Sequence, residues 1–398
     1  MNRKVVIFTQ SPISRTPRVV KEANCLARNG YDVTVFGLWY ESSIIKNDFE
    51  LLDSRINYKP GIDLSKDNFI SKIHRLRCRF HREAVRLFGL QSKHALGYGY
   101  YKYLEKLKSQ KANLYIGHQE MSLALAKDLI KVGFNVAFDF EDYHSHDLLP
   151  KDRLYRPIKL LTLLEEYVLK NANYCVTTSD VLAMELAIKY QVSVPTTIYN
   201  SFHSADLQEI ESLTDINSLV WISQVIGPGR GLELLLKAIS ISKLNYELTL
   251  IGKKDFEFCT RVLNNAPKNL KIIFADYIEP NRIATELAKF YVGVAFEEIE
   301  PRSRDLTITN KLFHYLNSGI AILATNTKGQ REIGHKAKGS ILLTELEVDN
   351  ICASLEEIFS DREKLDIMKS KSKFYGNKIF CFEKEEEKIL NLVMNLLK

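Results

Sequence analysis

The cationic residues with the clearest chemical potential follow four apolar runs in the C-terminal half of the sequence. The segments VIGPGRG, IGKKD, SRDLTITNK and NTKG each combine a candidate strand end or helix start with arginine or lysine. Backbone N–H groups at a helix start carry partial positive charge, and glycine lets an anion approach them closely. We therefore predict a site for a phosphate-bearing ligand, above all a diphosphate. Its candidate residues are Gly229, Arg230, Gly231, Lys253, Lys311 and Gly329.

These segments belong to a regular alternation of apolar runs and helical patterns. Alternating strands and helices predict a mostly parallel sheet with helices on both faces. The alternation occurs twice, so we predict an α/β protein with two doubly wound parallel sheets. The first set of candidate strands covers residues 4–9, 31–38, 112–118, 135–142, 173–179 and 195–200. The second set covers residues 218–224, 246–252, 270–275, 291–297, 320–325 and 340–344.

The length of the chain supports this division. A chain of 398 residues exceeds what one hydrophobic core usually accommodates. A polar stretch between Asn200 and Asn217 separates the two sets of strands. We predict domains at 1–200 and 201–375, followed by a segment, 376–398, that forms a C-terminal helix. The apolar stripe of that helix needs a surface to pack against.

Composition limits the cellular context. The six cysteines are scattered without a CxxC pair, which favours free thiols over disulfides or a zinc site. No apolar run approaches the ~20 residues of a membrane-spanning helix, and the first run is too short for a secretory signal. We therefore expect a cytoplasmic protein. A net charge of +6 is too small to identify a partner by itself.

Several segments resemble GT-B glycosyltransferases, and in particular their large retaining family of bacterial polysaccharide enzymes. The most specific match is NKLFHYLNSGIAILATNTKGQREI, residues 310–333, and GPGRGLELLLKA, residues 227–238, resembles the turn and helix that precede it in that family. ANLYIGHQE and LLEEYVLKNANYCVTTSD are similar to first-domain segments, and IYNSF is similar to the hinge. The resemblance covers nearly the whole chain. It implies two Rossmann-like domains that face a cleft and a C-terminal helix that returns to the first domain.

The resemblance also implies a function. We expect transfer of a sugar from a nucleotide-diphosphate sugar, UDP being the commonest carrier, to a saccharide or lipid-linked acceptor in cell-surface polysaccharide synthesis. Configuration would be retained. Since no DxD pair follows a strand, we expect no metal, with Arg230, Lys311 and helix N-termini stabilising the departing diphosphate.

The resemblance assigns further roles to individual residues. His118 matches a histidine that contacts the donor sugar or the acceptor, and Asn310 lies in the donor motif beside Lys311. An acid of the preceding loop would contact the donor sugar. Spacing does not choose among Glu297, Glu298, Glu300 and Asp305, and Asp305 is our prediction.

One position departs from the family pattern. The family usually has a glutamate that holds the ribose hydroxyls where this chain has His314. A neutral imidazole accepts one hydrogen bond and cannot form the bidentate pair of a carboxylate. We still place His314 near the ribose, one helical turn after Asn310.

A polar cluster ends a strand in the N-terminal half. DFEDYHSHD, residues 139–147, mixes carboxylates with histidines, a combination that also occurs in metal sites. Because this strand belongs to the first domain, we assign Glu141, Asp142 and His144 to acceptor binding, with a metal site as the alternative.

Residues 72–93 form a basic, amphipathic segment with seven arginines and lysines against one glutamate. Such a helix can lie on an anionic membrane surface, so we predict peripheral contact with the inner face of the cell membrane, with a purely solvated helix as the alternative. Nucleic acid is not an expected partner, because aromatic residues are sparse in the segment.

Two further functions remain open from the sequence. A nucleotide-sugar epimerase can share the two-domain architecture and would need no acceptor. A non-catalytic glycan- or partner-binding homologue would also retain the fold, and the His314 departure gives this alternative some weight.

Overall fold

The computed structural model describes residues 3–66, 68–205, 217–276, 278–279 and 282–398. The chain divides into two compact units. Unit 1 comprises Met1–Ile198 and Glu386–Lys398, and unit 2 comprises Tyr199–Glu385. The limits predicted at residues 200 and 375 stay predictions.

Unit 1 contains a seven-stranded, entirely parallel sheet in the order β3-β2-β1-β4-β5-β6-β7. The central strands β1, β4 and β5 are almost wholly buried, as expected for strands covered by helices on both faces. The strands are β1 (Lys4–Phe8), β2 (Asp32–Trp39), β3 (Asn57–Asp63), β4 (Leu114–His118), β5 (Val136–Phe140), β6 (Tyr174–Thr177) and β7 (Thr196–Thr197). The helices are α1 (Pro17–Arg28), α2 (Ser42–Glu50), α3 (Phe69–Phe88), α4 (Tyr100–Ser109), α5 (Glu120–Lys131), α6 (Pro150–Arg153), α7 (Ile158–Asn171) and α8 (Asp180–Tyr190).

Unit 2 contains a six-stranded parallel sheet in the order β10-β9-β8-β11-β12-β13. Its strands are β8 (Asn217–Ile226), β9 (Tyr246–Lys254), β10 (Leu270–Ala275), β11 (Val292–Ala295), β12 (Ala321–Thr325) and β13 (Ile341–Thr344). Its helices are α9 (Leu232–Ile241), α10 (Phe256–Asn264), α11 (Ile283–Leu287), α12 (Arg302–Leu306), α13 (Asn310–Ser318), α14 (Lys328–Lys336), α15 (Val348–Ser360) and α16 (Arg362–Phe374). The last helix, α17 (Phe382–Leu396), begins in unit 2 and continues into unit 1.

The α/β architecture with two doubly wound parallel sheets is confirmed. Each of the twelve apolar runs predicted as strands contains one strand, and only β3 among the described strands was not predicted. Its sequence, NYKPGID, contains a proline and a glycine, which an edge strand tolerates and a central strand does not.

Two hydrophobic clusters lie in unit 2. Leu219 and Trp221 of β8 belong to the cluster beneath α9, whereas Val220 between them belongs to the cluster beneath α13. Successive strand residues point to opposite faces of a sheet, so the two helices cover opposite faces. Each helix follows a strand, and both therefore begin at the carboxyl edge of the sheet.

The helix of the basic segment begins and ends earlier than the predicted range of residues 72–93. Helix α3 ends at Phe88, and Gly89 turns the chain in the left-handed conformation with φ 65°. The remaining residues up to Lys93 lie outside the helix. The six cysteines, all within the described residues, are unpaired.

Candidate functional site

The topology of unit 2 defines where a ligand can bind. The strand order changes direction between β8 and β11, and open parallel sheets bind ligands beyond the carboxyl ends of their strands at such a point. The loop after β8 contains Gly229, Arg230 and Gly231, and Glu297 lies two residues after β11. The predicted cationic segments therefore meet at the switch point of this sheet.

Arg230 and Lys311 converge on one carboxylate there. Nζ of Lys311 lies 3.1 Å from Oε1 of Glu297, and Nη1 of Arg230 lies 3.4 Å from the same oxygen. Lys311 and Glu297 are buried, whereas the side chain of Arg230 is 40% exposed. The ammonium group also lies 4.7 Å from the centre of the Trp221 ring. Two of the predicted site residues thus occupy one place, and Arg230 is the one open to solvent.

These contacts change the acid–base properties of the pair. Burial, together with the positive charge of Arg230, lowers the pKa of Lys311 to about 8 against the opposing effect of Glu297. Burial alone would raise the pKa of Glu297, but the charges of Lys311 and Arg230 hold this pKa below its ordinary value. Glu297 is therefore ionised at neutral pH, whereas the charge of Lys311 is sensitive to mild alkali.

Glu297 and Arg304 were not chosen from the sequence. The spacing of the acids within the loop does not single out Glu297. Its position two residues beyond β11, at the switch point, is the feature that distinguishes it. Arg304 lies in α12, and its Nη1 donates to the carbonyl oxygen of Gly229 at 3.2 Å. It thereby joins α12 to the glycine loop and adds a third cation.

Two helices begin at this site without a side-chain cap. Gly231 precedes α9 in the left-handed conformation with φ 71°, and Thr309 precedes α13, yet neither contributes a capping hydrogen bond. By contrast, Thr327 caps α14 by accepting from the backbone N–H of Gln330. The first N–H groups of α9 and α13 are thus not bonded by a capping side chain and can bind an anion.

The glycines of the site differ in what they accommodate. A Cβ atom at Gly229 would meet nothing within 4 Å, so the surface there is open. At Gly231 a Cβ would lie 3.0 Å from Cβ of Phe296, and at Gly329 it would lie 2.2 Å from the carbonyl oxygen of Thr307. Packing against the protein accounts for glycine at the last two positions, and their contact with a ligand stays a prediction.

Lys253 lies at the same edge of the sheet but outside the Arg230–Lys311 group. Strand β9 continues through Lys254, so Lys253 is a strand residue paired with Val225 and not part of a turn as predicted. It is exposed one strand away from the switch point.

Asp305 is already engaged within unit 2. It accepts a hydrogen bond from the backbone N–H of Lys328 at 3.0 Å and lies 3.1 Å from the ammonium group of that lysine. These contacts join α12 to the start of α14. Contact with a donor sugar stays a prediction, and Glu297 is the loop acid that lies between the two predicted cations.

Helix α13 matches the predicted motif closely. It ends at Gly319 in the left-handed conformation, as predicted. Oδ1 of Asn310 accepts from the side chain of Asn200 at 2.8 Å. The ring of His314 stacks on Phe202 with 3.8 Å between centroids and 18° between planes. His314 therefore has an aromatic partner within unit 2.

His118 lies at the carboxyl end of β4 in unit 1 and is completely buried. Its Nε2 lies 2.9 Å from Oε2 of Glu22, and its Nδ1 lies 2.8 Å from Oε1 of Glu141. Burial alone would lower the pKa of His118, but the hydrogen bonds to the two carboxylates raise it to about 10. A role toward a sugar stays a prediction, and it would require one of these bonds to be exchanged for a substrate bond.

The other acceptor candidates have distinct surroundings. Asp142 is half-buried, and burial together with the nearby charges of Asp147, Glu141 and Asp139 raises its pKa well above the ordinary value. His144 is buried near Phe140, and burial lowers its pKa to about 4, so it is neutral. Acceptor binding by these residues stays a prediction.

The structure does not support the alternative that residues 139–147 form a metal site. Among the residues that the structure describes, no group of three or more His, Cys, Asp or Glu side chains is arranged to hold a metal ion.

Comparisons with known proteins agree with this architecture. No protein-family model and no curated protein sequence matches the chain. Sucrose-phosphate synthase from Thermosynechococcus elongatus has a TM-score of 0.73 and 13% identity, covering 100% of this chain and 99% of that chain. Anabaena HepE, solved with UDP and glucose, has a TM-score of 0.69 and 12% identity, covering 99% of this chain and 100% of that chain.

An epimerase is also structurally similar. A protein described as a UDP-N-acetylglucosamine 2-epimerase from Listeria monocytogenes has a TM-score of 0.59 and 11% identity, covering 100% of this chain and 97% of that chain. At these identities the comparisons concern the fold, and the chain has the GT-B fold of glycosyltransferases.

Proposed function

We propose that the chain is a glycosyltransferase that uses a nucleotide-diphosphate sugar, with UDP as the carrier. The observation that carries this proposal is the convergence of Arg230 and Lys311 on Glu297 at the switch point of unit 2. Two helix starts without side-chain caps adjoin the same place. HepE, which has a similar fold, was solved with UDP and glucose.

The charges at the site suit a departing diphosphate. Arg230, Arg304 and Lys311 provide three cations, and Glu297 holds two of them in position before a ligand binds. Fixed cations and N–H dipoles stabilise charge that develops in a transition state without having to reorganise, and one such group contributes about 3 kcal/mol. We propose that transfer needs no metal and retains the anomeric configuration, in line with the resemblance.

We further propose that the acceptor is a saccharide or a lipid-linked saccharide of the cell surface. The carboxyl edge of the unit 1 sheet carries the candidate acceptor residues Glu141 and Asp142. The raised pKa of Asp142 favours its protonated form, which can donate a hydrogen bond to an acceptor hydroxyl, as an ionised carboxylate cannot.

Helix α3 is the element of unit 1 that we propose to lie on an anionic membrane surface. Leu76, Phe80 and Leu87 are 68%, 67% and 60% exposed, and arginines and lysines flank this apolar stripe. A basic amphipathic helix binds an anionic interface through both its buried apolar area and its charge. No helix in the described part of the chain is both long and apolar enough to cross a membrane.

The proposed donor site is tested by thermal unfolding of the full chain with nucleoside diphosphates and their sugars. A ligand that binds the folded state raises its stability by mass action, so the best stabiliser identifies the donor. Arg230→Gln and Lys311→Met should abolish the shift. Lys268→Gln removes a charge from the turn before β10, at the opposite edge of the sheet, and should leave the shift intact. Equal shifts in all variants would contradict the proposal.

An epimerase is the second candidate, because the Listeria monocytogenes protein has a similar fold. Incubation with UDP-sugars alone separates the two activities. Isomerised sugar formed without an acceptor would identify an epimerase, whereas transfer that needs an acceptor identifies a glycosyltransferase.

The non-catalytic alternative makes a different prediction for the same ligands. Failure of every nucleotide to shift the unfolding temperature would favour a binding homologue without donor chemistry.

A further inference from the structure

A cavity of about 600 Å³ in unit 1 is lined by four arginines. Three of them, Arg75, Arg79 and Arg82, lie on α3 at spacings of four and three residues, which places them on one face of the helix. The fourth, Arg156, lies between α6 and α7. The cavity thus joins basic residues of two separate stretches of the sequence.

The cavity lies where a parallel sheet binds ligands. Tyr40, on its wall, directly follows β2, and Leu148 and Asp152 lie in the connection after β5. These are carboxyl ends of parallel strands, beyond which open sheets bind ligands. The volume falls within the range of about 300–1,000 Å³ typical of small-molecule sites.

Most of the positive charge in this cavity is not neutralised. Among the residues that the structure describes, Arg75, Arg79 and Arg82 have no carboxylate within 4.0 Å. Arg75 and Arg82 donate instead to the carbonyl oxygens of Leu64 and Ala95, at 3.0 Å each. Neutral carbonyl groups position a guanidinium without removing its charge.

The carboxylates near the cavity are fewer than the arginines, and some of them already form ion pairs. Arg156 lies 3.3 Å from a carboxylate oxygen of Glu120, and Glu83 bonds Arg86 at 2.8 Å. Counting Glu120 with the two lining carboxylates, Glu83 and Asp152, four arginines face three carboxylates, an excess of one positive charge.

Aromatic rings orient the guanidinium groups at two places. Arg75 lies over the ring of Tyr40 at 5.2 Å, and Arg86 lies over the ring of Tyr155 at 5.5 Å. Arginine presents a planar fork of N–H donors that bonds two phosphate oxygens at once, and stacking on a ring reduces the freedom that it loses on binding. Tyrosine hydroxyl groups supply further donors.

We propose that this arginine cavity binds a phosphate group of the acceptor, so that the acceptor is a phosphate-bearing glycan or lipid. Identification of the ligand as the acceptor rests on the proposed glycosyltransferase function, whereas phosphate binding at the cavity does not. The same chemistry fits a lipid headgroup and a soluble phosphate ester.

The test measures binding of glycerol 3-phosphate to the full chain by titration calorimetry. Arg79→Gln/Arg82→Gln should weaken binding at least tenfold, and Arg79→Lys should give an intermediate loss because the ammonium group keeps the charge without the fork. Lys102→Gln/Lys131→Gln removes two exposed charges of unit 1 outside the cavity and should bind like the wild type. Equal binding by the cavity variant and the wild type would overturn the proposal.

A second measurement distinguishes the sources of phosphate and the two proposed sites. Binding of the protein to phosphatidylglycerol vesicles is measured with and without glycerol 3-phosphate. If glycerol 3-phosphate displaces the protein from the vesicles, the cavity binds a lipid headgroup. If it does not, the cavity binds a soluble phosphate ester. Arg230→Gln should lose UDP binding and keep glycerol 3-phosphate binding. Arg79→Gln/Arg82→Gln should keep UDP binding and lose glycerol 3-phosphate binding. These two results together would show that the cavity and the donor site bind their ligands independently, whichever reaction the enzyme catalyses. All variants are compared by thermal unfolding to confirm that they fold.

Discussion

The ammonium group of Lys311 lies 3.1 Å from Oε1 of Glu297, and both side chains are buried at the carboxyl edge of the unit 2 sheet. A buried charge without a partner is costly, so each of these residues depends on the other for its ionised form. Arg230 shares the same oxygen from the solvent side. The free protein thus keeps two cations at the proposed diphosphate site by placing one anion between them.

The first prediction concerns the pH dependence of donor binding. Because the pKa of Lys311 is lowered to about 8, the ammonium group loses its proton as the pH rises through this value. UDP affinity should be constant from pH 6.5 to 7.5 and should then fall by about tenfold for each pH unit above 8. Lys311→Arg, which stays charged throughout, should bind with little dependence on pH. A pH-independent affinity in the wild type would show that Lys311 does not contact the diphosphate.

The second prediction concerns the stability of unit 2. Glu297→Gln leaves the buried ammonium group of Lys311 without its carboxylate partner and should destabilise the fold by about 3–5 kcal/mol. Lys311→Met should cost less, because Glu297 keeps its contact with Arg230. The double variant removes both charges and should be more stable than the sum of the single changes predicts. Denaturant unfolding of the four proteins measures this coupling. Simple additivity would mean that the two groups do not interact in solution.

The third prediction follows from the buried histidine of unit 1. The pKa of His118 is raised to about 10, above its ordinary 6.5, so the folded state holds a proton that the unfolded state releases. The resulting stabilisation is complete below pH 6.5 and is lost as the pH rises toward 10, at up to about 1.4 kcal/mol per pH unit. Thermal unfolding between pH 7 and pH 10 measures this loss.

A matched variant isolates the histidine from other groups that titrate in alkali. Glu141→Gln removes one of the two carboxylates that raise the pKa of His118. The fall in stability should then end at a lower pH and be smaller in total than in the wild type. Identical profiles for the two proteins would contradict a charged His118.

The fourth prediction tests Asp142. Burial and the neighbouring carboxylates raise its pKa well above the ordinary value, so ionisation of this group opposes folding at neutral pH. Asp142→Asn should therefore raise the unfolding temperature at pH 7, and this advantage should disappear in acid, where the wild-type carboxyl group is protonated in both states. Asp32→Asn, at an exposed position of unit 1, serves as the control.

The same variant tests the acceptor assignment. If the acid contacts the acceptor, transfer to the acceptor should fall at least tenfold although the protein is more stable. An unchanged rate would remove Asp142 from the acceptor site.

The sequence predicted the order of elements well because apolar runs and their helical connections are local patterns. It placed Arg230 and Lys311 at one edge because every parallel strand ends at that edge. It could not show that Glu297 bonds Lys311 whereas Asp305 bonds Lys328, since both contacts join residues of different elements. It also could not show that Glu22 lies beside His118, because these residues come from different elements.

The arginine cavity shows the same limit. The basic residues of α3 are visible as one stretch of the sequence, but Arg156 comes from a separate stretch, and only the fold brings it to the same cavity. The amphipathic pattern of residues 72–93 predicted a helix that lies on a membrane or in solvent, and the exposure of Leu76 and Phe80 agrees with either alternative. Whether an amphipathic face is buried is decided by tertiary contacts and not by periodicity.

The last prediction concerns that exposed stripe. Leu76→Asp/Phe80→Asp places two negative charges where we propose that α3 enters the headgroup region of an anionic bilayer. Co-sedimentation with vesicles containing phosphatidylglycerol should fall at least tenfold, and wild-type binding should weaken as salt rises. Leu154→Asp/Ile188→Asp makes the same change at two other exposed apolar positions of unit 1 and should bind like the wild type. Equal loss in both variants would mean that net charge, and not the α3 stripe, determines membrane binding.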